Sequence, residues 1–210
     1  MTLTAAFREF IGHRSARILM PATAAAWVVR ASLGGWRVWD ALIPVIIVAL
    51  EPFTEWAIHV ALLHWKPRHV AGRRLDPLIA RKHRAHHADP KDAELVFVPV
   101  SVLVISLTVG AGLYLTLVPT LRLGLTTMAA SYTMFSLYEW THFLIHSTYR
   151  PKTRAYRYVW RAHRLHHYRN ERYWFGVTMH LGDRVLRTYP AKEAVPPSAT
   201  ARTLGIDVAA

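Results

Sequence analysis

Histidine is the residue type in this sequence whose number and spacing could support chemistry, because ten of its thirteen histidines fall into four clusters. Two clusters have the spacing HxxHH, and two are pairs, HxxxxH and HxxxH. On a helix, positions i, i+3 and i+4 lie within about 100° of one another, so HxxHH directs three imidazoles to one side. Imidazole is a common ligand for borderline metals near neutral pH. The ten candidate metal ligands are His59, His64, His83, His86, His87, His142, His146, His163, His166 and His167.

The number of candidate ligands favours two metal ions, since even an octahedral ion takes only six. His59 and His64 are five residues apart and diverge by about 140° on a straight helix, so we expect them to bind different ions unless the helix bends. A lone histidine in an apolar helix is usually a hydrogen-bonded core residue. If all four clusters were ordinary core residues, many buried imidazoles beside apolar segments would lack hydrogen-bond partners, which is costly. Metal binding is therefore the better explanation for the clusters. We interpret His13 and His69 as surface residues and do not predict His180 to be a ligand.

The amino-acid composition limits which ligand atoms a metal site could use and indicates where in the cell the protein is located. The chain has no cysteine, which excludes thiolate zinc sites, iron–sulfur clusters and disulfides, so any metal must bind nitrogen and oxygen. Hydrophobic residues make up 52% of the 210 residues, and the mean hydropathy is +0.15. These values indicate an integral membrane protein.

Four apolar segments are candidates for membrane-spanning helices. Residues 95–118 carry no charge and residues 123–146 contain a single acid, so both suit the roughly 20 apolar residues that a bilayer core requires. A short turn joins these two segments, which predicts a hairpin. Residues 41–65 are long enough but contain two glutamates near their middle. Residues 18–36 are interrupted by Pro21 and the Gly34-Gly35 pair; we interpret them as a weak first span, with an interfacial helix or a cleaved signal sequence as the alternatives.

Basic residues are concentrated in two loops, 66–92 and 148–190, which hold eighteen of the twenty-six Lys and Arg residues. By the positive-inside rule, all four histidine clusters face the cytoplasm. The formal charge of +13 would also suit nucleic acid. Basic residues interleaved with histidines beside apolar segments are better explained by a membrane surface, so we expect no nucleic acid partner. Abundant Ala and Arg without Cys favour a bacterial plasma membrane.

The predicted fold is therefore all-α and integral to the membrane, with about four transmembrane helices capped by a cytoplasmic, helical, histidine-rich metal-binding region. Pro77 and the Asp89-Pro90 pair predict the start and the stop of a helix that carries the first HxxHH. Residues 1–40 form an N-terminal lead and the weak first span, and residues 41–190 form the membrane domain. Residues 191–210 are rich in Ala, Pro, Ser and Thr and predict a flexible tail without a catalytic role.

The four histidine clusters lie in the stretches EWAIHVALLH at 55–64, KHRAHH at 82–87, EWTHFLIH at 139–146 and HRLHH at 163–167. These stretches resemble the fatty acid hydroxylase and sterol desaturase superfamily, which comprises membrane di-iron oxygenases. The similarity runs from about residue 41 to residue 188. A further segment, GVTMHLGDRVLRT at 176–188, is similar to a family segment but has Gly182 where the family has Trp and Leu186-Arg187 where the family has Phe-Gly.

The resemblance implies that the ten histidines bind two ferrous ions, which activate O2 for hydroxylation of an unactivated C–H bond. Zinc could replace iron in a purified sample. Glu55 and Glu139 each precede a cluster histidine by three or four residues and are candidates to accept its second N–H. An ordinary interhelical hydrogen bond is the alternative for each. Asp183 is a further candidate for this outer layer.

Substrate and partners remain open among several interpretations. A membrane lipid is the expected substrate, with a fatty acyl chain favoured and a carotenoid ring or a sterol as alternatives. A histidine-rich protein that stores or transports metal is the non-enzymatic alternative. The sequence contains no flavin or nicotinamide fingerprint, so we expect electrons to come from a separate carrier of the ferredoxin or cytochrome b5 type. Such carriers are commonly acidic, and the basic loops predict where one would dock.

Overall fold

The computed structural model describes residues 1–206, and within them the chain is mainly helical. The helices nearest the N-terminus are α1 (Leu3–Gly12), α2 (Arg14–Ser32) and α3 (Val38–Ile58), which continues into a π-helical turn (His59–Leu63). A hairpin of β1 (Arg68–Val70) and β2 (Arg73–Leu75) precedes α4 (Leu78–Ala88), α5 (Ala93–Val96) and α6 (Val100–Leu117). The remaining elements are α7 (Leu121–His146), α8 (Arg154–Tyr168), α9 (Leu181–Val185) and a 3₁₀ turn (Lys192–Ala194).

Helix α7 is the centre of the bundle, and α2, α3 and α6 pack around it. The fully buried Ala129 lets neighbouring helices approach closely, while Leu19 of α2 and Leu103 of α6 fill the space beside it. Tyr132 donates its hydroxyl to the carbonyl of Leu107 at 2.6 Å, which satisfies a polar group inside this apolar cluster. Because α7 is held on several sides, the histidines at its C-terminal end, including His142, have a rigid base.

Two of the helical stretches are long and apolar enough to cross a membrane, namely Val38–Leu63 and Ala93–Leu117. Helices α2 and α7 are present, but their polar content keeps them below that standard. In α7 the polar side chains Thr126, Ser136 and Glu139 are buried within the protein. The count of four transmembrane helices therefore stays a prediction. The hairpin of α6 and α7 is present, and it brings Val96 to His142.

A buried ion pair joins the start of α3 to the end of α2. Arg30 is fully buried and bonds Asp40 through both Nε (3.0 Å) and Nη2 (2.7 Å), while its Nη1 donates to the carbonyl of Gly34 at 2.9 Å. Thr126 of α7 also donates to Asp40. Two charges removed from water must satisfy each other and their remaining hydrogen bonds, so this network fixes the order in which the three helices meet.

Breaking this pair from one side should destabilise the protein strongly. In the Asp40→Ala variant Arg30 stays buried without its counter-charge, and we expect a loss of about 3–5 kcal/mol in the free energy of unfolding. Denaturant unfolding in a fixed detergent measures this loss. The apolar double variant Arg30→Met/Asp40→Leu is the control and should recover most of it. A single variant as stable as the unaltered protein would contradict this account.

Helix α4, which lies in the polar segment between α3 and α6, has the bounds that the sequence predicts. Helix α4 starts after Pro77 and ends before Asp89. The β-hairpin before α4 is not predicted, because its strands are exposed and lack alternating apolar residues. His69 lies on this exposed hairpin, as expected. His13 differs from its predicted surface position, because its ring stacks on Phe97 with a centroid separation of 3.7 Å and its Nδ1 caps α2.

The prediction of a flexible tail is wrong for residues 191–206. Val195 is buried beside Ala162 and Trp174, and the Arg169 side chain donates to the Val195 carbonyl at 2.7 Å. The Asn170 side chain donates to the next carbonyl along the tail, at Pro196 (3.2 Å). These backbone contacts do not depend on apolar side chains in the tail, so the composition gave no indication of them. The last part of the predicted tail, residues 207–210, lies outside the described residues.

Candidate metal centre

The ten cluster histidines converge into two groups of five at the ends of α3, α4, α7 and α8. Within each group, the candidate ligand nitrogens all lie within 4.8 Å of one another. Group one consists of His59, His64, His83, His87 and His166, and group two consists of His86, His142, His146, His163 and His167. Two adjacent groups are the arrangement expected for two metal ions.

Each HxxHH cluster is divided between the two groups, so its three imidazoles do not serve one ion. On α4, His83 and His87 belong to group one and His86 belongs to group two. On α8 the division is reversed, because only His166 joins group one. Residues four apart share a helical face, whereas the residue between them is turned toward the neighbouring group. Helices α4 and α8 therefore each bridge both groups.

His59 and His64 lie in the same group, which corrects the prediction that they bind different ions. The reason is the π-helical turn between them, in which His64 donates its backbone N–H to the His59 carbonyl at 3.0 Å. This i→i+5 bond widens the turn and brings both rings to one face, with ring centroids 5.0 Å apart. An α-helix would have separated them.

Backbone carbonyls hold the Nδ1 atom of four of these histidines. A carbonyl can only accept, so each Nδ1 carries the proton and each neutral ring presents an Nε2 lone pair. This fixes the tautomer and the orientation that a metal ligand needs. The four bonds are His59 to Phe175 (2.6 Å), His87 to Ala201 (2.8 Å), His142 to Val96 (2.8 Å) and His166 to Tyr173 (2.8 Å).

The facing Nε2 atoms fit a metal ion better than they fit one another. In group one, the Nε2 atoms of His59 and His87 both lie 3.2 Å from that of His83, which could donate a proton to only one of them. The Nε2 atoms of His64 and His166 are buried without a hydrogen-bond partner. Two nitrogens bound to one metal at about 2.1 Å would lie about 3.0–3.4 Å apart, which matches these separations.

The protonation state of the histidines outside the apolar helices also suits ligation. Burial lowers the pKa of His83 and His163 well below the ordinary value, and it lowers the pKa of His87 to about 4. Neighbouring imidazoles lower the pKa of His83 and His163 further. These side chains are therefore neutral near pH 7, which is the form that binds metal.

A family model for fatty acid hydroxylases matches residues 44–188, a range that includes all ten histidines. The chain belongs to the fatty acid hydroxylase family. This finding confirms the family resemblance in the sequence, and the two groups of five are the metal-binding candidates of a family member.

Two curated relatives and one solved structure are similar to this family member. It is 32% identical to the fatty acid 2-hydroxylase of Mus musculus over 69% of its length, and 27% identical to the dihydroceramide fatty acyl 2-hydroxylase of Arabidopsis thaliana over 71%. The matches span 38% and 62% of those two proteins. The visible hydroxylase domain of scs7p shares the fold, with a TM-score of 0.71 and 23% identity; the match covers 88% of this chain and 68% of that one.

The carboxylates Glu55 and Glu139 support the histidine groups less directly than predicted. Glu55 accepts hydrogen bonds from the backbone N–H and the hydroxyl of Thr178, at 2.9 and 3.0 Å. Glu139 accepts from the backbone N–H of Val98 at 3.2 Å. Within residues 1–206 neither carboxylate hydrogen-bonds a cluster histidine, so the prediction of a direct contact is wrong. Both carboxylates instead hold backbone near the carbonyls that receive the histidine N–H groups.

Asp183 also fixes a backbone segment that accepts a hydrogen bond from a cluster histidine. It accepts from the N–H groups of Phe175 (2.9 Å) and Gly176 (2.7 Å), and the Phe175 carbonyl in turn accepts from His59. A side chain at Gly182 would overlap the Pro52 carbonyl, so glycine lets α9 approach α3 and brings Asp183 to this position. The substitution of Gly for the family's Trp is thus accommodated by close backbone contact.

Two features of the site escaped the sequence-based prediction. His180 is buried, its Nδ1 lies 3.2 Å from Asp183, and its ring packs beside Tyr158 and Tyr189. The second feature is the tail, whose Ala201 carbonyl holds His87. The HLGD spacing was a usable signal for the His180–Asp183 pair, since residues three apart share a helical face. The contact of the Ala201 carbonyl with His87 had no such signal, because a backbone carbonyl is not marked by any side chain.

Glu171 anchors the tail where it meets His87. Thr200 donates its hydroxyl to Glu171 at 2.6 Å, and the Ser198 N–H donates to the Arg169 carbonyl at 2.7 Å. Burial works to raise the pKa of Glu171, but hydrogen bonds from Thr200 and Ser198 outweigh it, so the net pKa lies below its ordinary value. The ionised carboxylate therefore keeps the tail in place at neutral pH.

The division of His166 and His167 between the two groups leads to a test with neighbouring residues. We expect His166→Ala and His167→Ala each to lose about one of two bound ions, because each substitution removes a ligand from a different group. The double variant should lose both ions. Elemental analysis of the purified protein measures the metal content, with His69→Ala as a control that keeps both ions. Loss of both ions from either single variant would contradict two independent groups.

The tail should contribute to metal affinity through His87. In Glu171→Ala the anchor of Thr200 is removed, and we expect about 10- to 100-fold weaker binding of one ion, as is typical when the hydrogen-bonding partner of a ligand is disturbed. Competition with a chelator gives the dissociation constants. Glu193→Ala removes an exposed acid close in the chain and should leave both constants unchanged. Equal affinities for the two variants would show that the tail does not support the site.

Proposed function

We propose that this protein is a membrane di-iron oxygenase that hydroxylates an unactivated C–H bond of a lipid, with a fatty acyl chain as substrate. The observation that carries the proposal is the convergence of ten histidines into two groups whose ligand atoms lie within 4.8 Å of one another. Imidazole ligands suit iron, among other transition metals. Membership of the fatty acid hydroxylase family supports the reaction type.

The relatives' names indicate which product to seek first. Both curated relatives are named for hydroxylation at carbon 2 of a fatty acyl chain. A 2-hydroxy fatty acyl product is therefore our first candidate for this chain. The apolar stretches Val38–Leu63 and Ala93–Leu117 provide surfaces along which a lipid chain can lie while its reacting carbon approaches the histidines.

The overall reaction consumes one O2, two electrons and two protons per C–H bond, and it gives one alcohol and one water. When bound, two iron ions would supply the activation of O2. The protein's own residues hold and orient the ligands: carbonyls of Val96, Tyr173, Phe175 and Ala201 fix the rings. Burial of nearly all ten imidazoles excludes water from the ligand atoms, which protects reactive chemistry from side reactions.

Location and electron supply form part of the same proposal. We place the histidine region at the cytoplasmic side of a bacterial plasma membrane, because the basic loops 66–92 and 148–190 flank it. The two electrons come from a separate acidic carrier of the ferredoxin or cytochrome b5 type. Long-range attraction between this basic side and an acidic carrier would speed their encounter at low ionic strength.

Isotope labelling tests the proposed reaction. Cells that express the protein under ¹⁸O2 should accumulate a fatty acyl product whose new hydroxyl carries the label, because the oxygen atom derives from O2. Labelled water should leave that hydroxyl unlabelled. Mass spectrometry of extracted lipids makes the measurement, and the double variant His166→Ala/His167→Ala is the inactive control.

Other outcomes would point to other functions. A product heavier by one oxygen among carotenoids or sterols would keep the reaction and change the substrate. An unchanged lipid profile with altered cellular metal content would favour the storage or transport alternative and would overturn the proposal.

A further inference from the structure

A basic groove lies beside α8 and is distinct from the two metal groups. Its volume is about 400 Å³, and its lining includes Arg154, Arg157, Arg161 and Lys192 against one acid, Glu193. The described contacts of Arg157 and Arg161 include no ion pair, so both charges are available. A concave surface lined by unpaired cations attracts negatively charged binding partners more strongly than a flat surface does.

The three arginines occupy the face of α8 opposite the histidines. Arg154, Arg157 and Arg161 recur at intervals of three and four residues, which places them on one side of the helix. His163 and His167 lie about half a turn away on the opposite side, within group two. One helix, with a diameter of about 10 Å, therefore separates the groove from the ligands. The groove is outside the metal site but close to it.

Trp174 connects the groove to group one. Its ring lines the groove yet is almost fully buried, and its Nε1 donates to the Pro190 carbonyl at 3.2 Å. Trp174 also has a left-handed backbone conformation (φ 57°), which indicates that the fold imposes its position.

The residues on either side of Trp174 contact two candidate ligands. The Tyr173 carbonyl accepts from His166 at 2.8 Å, and the Phe175 carbonyl accepts from His59 at 2.6 Å. A path of covalent bonds and one hydrogen bond therefore runs from the groove to group one in two directions.

We infer that this groove is the docking surface for an acidic one-electron carrier protein, and that Trp174 lies between the docked carrier and group one. The inference rests on the proposed function, because a carrier docks where electrons are consumed. Each docking event would oxidise the reduced carrier by one electron, and the metal that the histidines of group one would hold would accept it. Two events supply the two electrons of one hydroxylation.

The geometry favours a protein over a lipid headgroup as the occupant. A headgroup would use the cations but would leave the connection from Trp174 to His59 and His166 without a role. An acidic protein surface uses both features, since its charge meets the arginines and its redox centre approaches Trp174.

A binding measurement tests the docking surface without turnover. The full-length protein in neutral-lipid nanodiscs is titrated with an oxidised acidic [2Fe–2S] ferredoxin at low ionic strength. We expect Arg157→Glu/Arg161→Glu to weaken binding about tenfold. The matched control, Arg8→Glu/Arg73→Glu, makes the same change in net charge at exposed residues outside the groove and should weaken it less than about threefold. Equal weakening by both double variants, or by neither, would overturn the inference.

A second titration separates lipid binding from protein docking. The same variants are mixed with vesicles of phosphatidylglycerol. If the groove variant loses vesicle binding but keeps ferredoxin binding, the groove serves lipid and the inference is overturned. Loss of ferredoxin binding with vesicle binding retained supports it.

The role of Trp174 is tested by comparing two reductants. In Trp174→Leu we expect kcat for ferredoxin-driven turnover to fall by a much larger factor than turnover with a small neutral reductant, with little change in KM for ferredoxin. Trp174→Phe keeps an aromatic ring and should retain most of the ferredoxin-driven rate. A parallel fall with both reductants would show a structural role and contradict an electron path.

If the proposed function is wrong, the results differ from those expected if only the docking inference is wrong. The unaltered protein would then form no hydroxylated product with the small reductant, whereas the ferredoxin titration would still report on the groove.

Discussion

The burial of many histidine lone pairs in one place is the constraint on which the rest of this structure depends. A buried polar atom without a partner costs about 1–3 kcal/mol, and several Nε2 atoms here face only one another. A metal ion in each group would turn these costs into bonds. The surrounding structure therefore has to keep ten rings neutral, correctly turned and close together, and most of its local features serve that requirement.

The rings are held by backbone, and the backbone is held by acids. Four carboxylates each secure a segment near a carbonyl that receives a histidine proton: Glu55 secures the chain at Thr178, Glu139 secures it at Val98, Asp183 secures residues 175–176, and Glu171 secures the tail at Thr200. A carboxylate bonded directly to a histidine would fix a single ring. The indirect arrangement lets one acid fix a whole segment, and residues 173–175 serve both His59 and His166.

Two different kinds of surface lie beside the histidine groups. The apolar stretch Val38–Leu63 contains His59 and ends beside His64, and α7 carries His142 and His146 at its C-terminal end. On α8, histidines occupy one face and arginines the opposite face. In the proposed function, lipid and a soluble carrier meet the site on different surfaces, so neither has to leave for the other to bind. A single amphipathic helix provides both surfaces because its two residue types alternate with helical periodicity.

Residue type and spacing were sufficient to identify the ten candidate ligands and the bounds of α4, and the resemblance of the histidine stretches was sufficient to identify the fatty acid hydroxylase family. Which histidines share a group depends on the three-dimensional fold. Ideal helical geometry separates His59 from His64, and a π-helical turn reunites them. The partners of Glu55 and the contact of Ala201 with His87 were likewise decided by distant backbone. Carbonyl groups are identical in every residue, so no sequence pattern marks the ones that become acceptors.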